Sequence, residues 1–279
     1  MNKIFRSLIC EEQASLTVLD VTKLVNDAIK IHSLGPTAAK LLGGLLVSGA
    51  YCAANLKEKR GSVSLTVKAK DGDGAVSVSA DADLHIRGYA DGSCSQTLVG
   101  GTLTVVREDG YSVPYVGTCE IASDDASDIL AEYFQVSEQI PTAVKIVVEM
   151  GGDGTCLSAG GVIIQLLPDA SDEQTERAGE AFEAFCKDVD SLRREGAEGV
   201  AKAFFGNLLS GVTYELFPDY ICNCSESKIR GILASVGRDE LLKIVEEQGK
   251  VSVHCHYCNK DYEYDRKDIE KIFDKGIDG

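Results

Sequence analysis

Apolar and polar positions change period along this chain, and the changes mark out its elements. From residue 62 to 121, "SVSLTVKA", "AVSVSADADLHIRGY", "GTLTVVRE" and "YVGTCEI" alternate apolar with polar residues between Asp-Gly and Gly-rich turns. That pattern predicts antiparallel strands with one buried face. Ahead of them, "DVTKLVNDAIKIHSLGPTAAKLLGGLLVSGAYCAANLKEK" offers Asp20 as a cap, breaks at Gly35-Pro36 and resumes as a helix rich in Ala, Leu and Gly. Gly43, Gly44 and Gly49 would let another element approach that helix closely. A helix is predicted over "DDASDILAEYFQVSEQ", with acidic residues in its first turn, followed by strands "TAVKIVVEM" and "GGVIIQLL" around the turn "GGDGTC". Strands gathered together with helices segregated predict an α+β domain.

Pro168 to Ala170 closes that domain, and the chain turns acidic and helical to about residue 210. Phe182, Phe185, Val189 and Leu192 recur at spacings of three, four and three, which reads as one apolar helix face. Val200, Phe204 and Leu208 continue the habit after Gly196 and Gly199. The expectation is a connector docked on the larger domain by this stripe. From Cys222 onward come two cysteine knuckles, a helix over "DELLKIVEEQGK" and a closing amphipathic stretch, "DRKDIEKIFDK". The division expected is therefore an α+β N-terminal domain with antiparallel sheets and packed helices over residues 1–169, a mainly helical linker over 170–221, and a small zinc-binding domain over 222–279.

Composition narrows the function. The 279 residues carry 28 Lys and Arg against 44 Asp and Glu, a formal charge of −16, which disfavours a partner recognised through its phosphates. The start, "MNKIFRSLIC EEQASL", has only a short apolar patch before acidic residues, without the long apolar region of an export signal; a cytoplasmic location is expected. The smoothest apolar run, Thr37 to Ala54, contains Lys40 and many small residues and reads as a buried helix rather than a membrane span. "KDGDGAVS" and "GGDGTCLSAGG" lack the Gly-Lys-Ser/Thr of a phosphate loop and sit between strands, so they read as turns. His32 and His85 lie beside no nucleophile motif. No catalytic residue is expected.

Ten cysteines in a chain without an export signal are expected to be mostly reduced. Cys10, Cys52, Cys94, Cys119, Cys156 and Cys186 are scattered singly and read as small core hydrophobes. By contrast, Cys222-x-Cys224 and Cys255-x-x-Cys258 cluster in the last fifth. Structural zinc takes four Cys sulfurs at about 2.3 Å and closes its shell with them. His254 and His256 flank Cys255 and are ligand types in principle, but four thiolates already complete the tetrahedron. The terminal 58 residues (222 to 279) are modest in apolar content, so metal ligation can decide whether they fold. A zinc-held thiolate is also the form that peroxide attacks, so oxidation would expel the metal, and a connector packed nearby would loosen.

The chain closely resembles the redox-regulated 33 kDa chaperonin family, heat shock protein 33, through "HSLGPTAAKLLGGLL", "ADADLHIRGY", "GTLTVVRE", "PYVGTCEI", "YFQVSEQIPTAV", "GGVIIQLLP", "CNCSESKI" and "CHYCNKDYEYD". The resemblance implies one zinc per chain in the reduced state, on Cys222, Cys224, Cys255 and Cys258. On oxidation it implies disulfides joining Cys222 with Cys224 and Cys255 with Cys258. It further implies an ATP-independent holdase, dormant when reduced, that dimerises and holds unfolding proteins once its zinc and linker regions unfold. Cys186 matches no position of the family motif. Two other classes compete. A zinc-ribbon nucleic-acid binder needs a basic footprint, yet the segment from Cys222 has 10 Lys and Arg against 12 Asp and Glu. A thiol-disulfide oxidoreductase built on Cys255 and Cys258 needs a βαβ setting, whereas these follow a helix in a small knuckle.

Overall fold

A computed structural model describes residues 1–70, 74–91 and 97–274. It divides into two compact units, Met1–Ile221 and Cys222–Gly279. The first is α+β, as the alternation predicts. Its elements run β1 (Lys3–Ile9), β2 (Ala14–Asp20), α1 (Thr22–His32), α2 (Pro36–Ala54), β3 (Ser62–Lys68), β4 (Ala75–Asp81), β5 (His85–Ala90), β6 (Thr102–Glu108), β7 (Tyr115–Glu120), α3 (Ala126–Tyr133), a π-helical turn (Phe134–Glu138), β8 (Thr142–Met150), β9 (Cys156–Leu166), α4 (Asp172–Lys187), α5 (Ser191–Phe205), β10 (Tyr214–Leu216) and β11 (Asp219–Tyr220). One sheet has the order β10-β1-β2-β9-β8, the other β11-β5-β4-β3-β6-β7. All pairings are antiparallel except β11 on β5.

The long apolar helix α2 packs against strands of both sheets. Its composition would suit a membrane crossing, with a mean hydropathy of 1.3, but 78% of that window is buried. Its glycines admit close neighbours: a Cβ on Gly44 would lie 2.6 Å from the Ala126 side chain of α3, and one on Gly49 2.6 Å from Val78 of β4. In β9, side chains at Gly160 and Gly161 would fall 1.9 and 2.0 Å from the carbonyl oxygens of Leu19 and Lys145. The second glycine-rich turn forms as expected, with Gly151 N–H donating to Thr155 O at 2.7 Å between β8 and β9. The "KDGDGAVS" turn at 71–73, like Cys94, lies outside the described residues.

The five-stranded sheet is buried on both faces, which is how it positions the connector. One face meets α2 and the second sheet through Ile4, Leu19, Ile146 and Ile163. The other presents Phe5, Ile9, Leu16, Val18, Val162 and Ile164 to Phe185, Leu192, Val200 and Phe205 of α4 and α5. The connector thus docks by an apolar face, but that face is not one helix. Helix α4 ends at Lys187, and Val189 sits in a turn in which Ser191 and Leu192 N–H bond back to Asp188 and Val189 carbonyls at 3.1 Å. Gly196, at φ +67°, then kinks α5. Beyond residue 210 the segment is extended: β10 pairs with β1, and β11 with β5.

The second unit comprises α6 (Glu226–Val236), α7 (Arg238–Gln248), a hairpin of β12 (Val251–Cys255) and β13 (Lys260–Tyr264), and α8 (Arg266–Asp274). Its core among the described residues is small: Ile229, Leu233, Leu241, Val245, Val251, Tyr264 and Ile269. Tyr264 brings a polar atom into it, since its buried hydroxyl has no hydrogen-bond partner among the described residues. Leaving a buried hydroxyl unpaired costs about 1–3 kcal/mol, so Tyr264→Phe is expected to leave the unit at least as stable as the parent in urea unfolding. A clear loss of stability would show that the hydroxyl has a partner.

Candidate metal centre

Two short segments bring four sulfurs together. Cys222 and Cys224 occupy the extended stretch that enters α6, whose N-cap Ser225 accepts from Lys228 N–H. Cys255 is the last residue of β12. The chain reverses immediately, with Cys258 and Asn259 N–H donating to Cys255 O at 3.3 and 2.9 Å and Asn259 in the left-handed region at φ +58°. All four Sγ atoms lie within 4.8 Å of one another and each residue is half-buried. Cys222 and Cys255 are 3.7 Å apart and Cys224 and Cys258 3.2 Å. Four sulfurs at about 2.3 Å from one centre stand about 3.8 Å from each other, so the set fits a tetrahedral metal ion and can hold one.

Donors already converge on the sulfurs. Cys222 Sγ accepts from the Cys224 backbone and Cys258 Sγ from that of Lys260, while the Tyr262 hydroxyl donates to Cys224 Sγ at 3.2 Å. Burial pushes Cys222 and Cys258 up. Burial acts the same way on Cys224, but hydrogen bonds from Tyr262 and the neighbouring cysteines outweigh it and bring its thiol down to about 7. His254 faces elsewhere: its Nδ1 pairs with Asp261 Oδ1 at 2.7 Å. Neither His254 nor His256 belongs to the four-sulfur cluster.

The scattered cysteines divide. Cys10, Cys52, Cys119 and Cys156 are buried, and burial pushes the last three up to about 11, holding them as unreactive thiols at neutral pH. Cys186 departs from the expected core role: it is only half-buried, because it sits beside Phe185 on the flank of α4 rather than beneath it. His85 does form a small group with Asp81 and Asp83 in the β4–β5 turn. There Asp81 Oδ1 accepts from the His85 and Asp83 backbones at 3.1 and 3.0 Å, so the carboxylate shapes the turn.

An α+β body with a docked helical connector, followed by a small unit gathered around four thiols, defines the class of protein. Comparison with known proteins gives the family. The family model described as Hsp33 protein matches residues 2–265. The 33 kDa chaperonin of Clostridium perfringens (strain SM101 / Type A) is 32% identical over 294 residues, spanning 98% of this chain and 92% of that protein. That of Clostridium botulinum (strain 657 / Type Ba4) is 28% identical, spanning 98% and 97%. The crystal structure of the 33 kDa chaperonin, a heat shock protein 33 homolog, from Thermotoga maritima superposes with a TM-score of 0.84 over 98% of each chain at 24% identity, a likeness of fold. This chain belongs to the Hsp33 family of chaperones.

Proposed function

We propose that the protein is a redox-controlled, ATP-independent holdase rather than an enzyme, cytoplasmic, silent when reduced and metal-bound, and active on unfolding proteins after oxidation. The observation that carries the reading is the convergence of four sulfurs in a unit whose own core is too small to be secure. Zinc is the metal this donor set suits, and when bound it supplies folding free energy and closes its shell without leaving a position for a water. Cys222, Cys224, Cys255 and Cys258 would hold it. Under peroxide, one thiolate of a pair attacks the O–O bond and becomes a sulfenic acid; the second sulfur then displaces its hydroxyl. Each disulfide so formed consumes one peroxide and two protons taken up or supplied by the thiols, and releases two waters. The pairs are Cys222 with Cys224 and Cys255 with Cys258.

Sulfurs spent on disulfides no longer ligate metal. Residues 222–279 then lose most of what folds them, the connector over 170–221 loosens, and the apolar faces now sealed between α4, α5 and the sheet become available to clients, with dimerisation in the active state. The acidic surface keeps a loaded complex dispersed. Reduced protein is expected to carry about one zinc and leave a heat-unfolding client to aggregate. Peroxide with mild heat is expected to release the zinc and suppress the aggregation, read together by light scattering and a zinc dye. Suppression that begins with the metal still bound would defeat the reading.

A further inference from the structure

The small unit spends an aromatic side chain on its sulfur cluster. Tyr262 lies in β13 opposite Val253, and its ring packs against the small core while its hydroxyl extends to Cys224 Sγ at 3.2 Å. Two strand positions on, on the same face, Tyr264 keeps its hydroxyl inside the core without a partner among the described residues. Two tyrosines of one strand face the same way, yet the half-buried phenol of Tyr262 meets a sulfur and the buried one of Tyr264 does not. Backbone donors at Cys222 and Cys258 come with the fold of the knuckles. The donor at Cys224 is a side chain that a substitution can remove without altering the chain path.

We infer that Tyr262 is a positioning residue for the metal centre, its O–H aiming the Cys224 sulfur into the tetrahedron and withdrawing electron density from it. The inference rests on the four-cysteine site proposed above. Four thiolates around a divalent cation leave a net double negative charge on the cluster. A donor directed at one sulfur spreads part of that charge, favours retention of the metal, and fixes the sulfur's orientation, as outer-shell partners do for other ligand types. A tyrosine that merely filled core volume would be replaced by phenylalanine with no effect on the metal.

The test uses the full reduced chain loaded with Co²⁺ in place of Zn²⁺, comparing wild type, Tyr262→Phe and Tyr264→Phe. Thiolate-to-cobalt charge transfer in the near ultraviolet reports electron density on sulfur, and competition with a chromophoric chelator reports affinity. In Tyr262→Phe the charge-transfer band is expected to move to lower energy and the affinity to fall about tenfold, the low end for loss of an outer-shell partner. Tyr264→Phe should match wild type in both. An unshifted band and unchanged affinity in Tyr262→Phe would overturn the inference. So would equal shifts in both variants, or a Tyr262→Phe protein that takes up no cobalt at all, since either points to the fold of the unit. If wild type itself shows no thiolate-to-cobalt band, it is the four-cysteine site that fails.

Discussion

Stripping the metal from the reduced protein is expected to unfold residues 222–274 and loosen the connector while leaving the body of the first unit, residues 1–169, folded. Seven buried side chains, one of them Tyr264 with a hydroxyl that finds no partner among the described residues, make up the described core of that unit, and a segment of this size is marginal by burial alone. Structural zinc in comparable peptides is worth about 10–16 kcal/mol apparent at neutral pH, enough to decide between folded and unfolded. Chelation of the reduced chain should therefore collapse the amide dispersion of α6, α7, α8 and the β12–β13 hairpin, with the signals of α2 and of strands β3, β4 and β6 unmoved. Cys222→Ser should lose most of its metal and show the same collapse without a chelator. A metal-free unit that keeps its dispersed spectrum would mean that packing suffices and that the sulfurs are not its clamp.

Phe205→Ala is expected to produce aggregation suppression without an oxidant. Phe205 is fully buried at the end of α5, under the five-stranded sheet, and truncating such a ring costs about 3–5 kcal/mol. The loss falls on the docking of the connector, because the residues around Phe205 are those of α4, α5 and the sheet face they cover. Reduced, metal-loaded Phe205→Ala protein should keep a light-scattering client in solution to a measurable degree where the parent does not, and its guanidinium midpoint should fall. A variant that is destabilised yet silent until oxidised would place client capture away from this interface.

How much of this could be read beforehand depended on burial. Strands β3, β4, β6 and β7 have one face toward the core, and their alternation is plain in the letters. The stretch 75–89 was less so: it reads as one run, whereas Leu84 at φ +61° splits it into β4 and β5, and a leucine gives no turn signal. Strands β1 and β2 were harder still. Their sheet is covered on both sides, so "KIFRSLI" shows no clean alternation, and Cys10, Glu11 and Glu12 make the turn between them at φ +55°, +55° and +65° without a glycine. The Phe182-to-Leu192 spacing suggested one helix because the turn at Asp188 returns the chain to the same apolar cluster. The site was the most legible part, since cysteine spacing survives without knowledge of the intervening fold. Tyr262 was not legible: nothing in "KDYEY" distinguishes a phenol facing sulfur from one facing the core until the hairpin register is fixed.

The connector does more at its end than reach the small unit. Its last strands, β10 and β11, are three and two residues long, and each forms the outermost member of a large sheet. Such brief ladders carry few main-chain bonds, and side chains hold them as well, Lys3 on Glu215 and the Tyr220 hydroxyl on Gly88 O at 2.7 Å. Their departure would bare the backbone amides of β1 and β5 along two margins at once, giving an unfolded polypeptide main-chain hydrogen bonds to adopt in addition to oily surface, and a grip indifferent to the client's sequence.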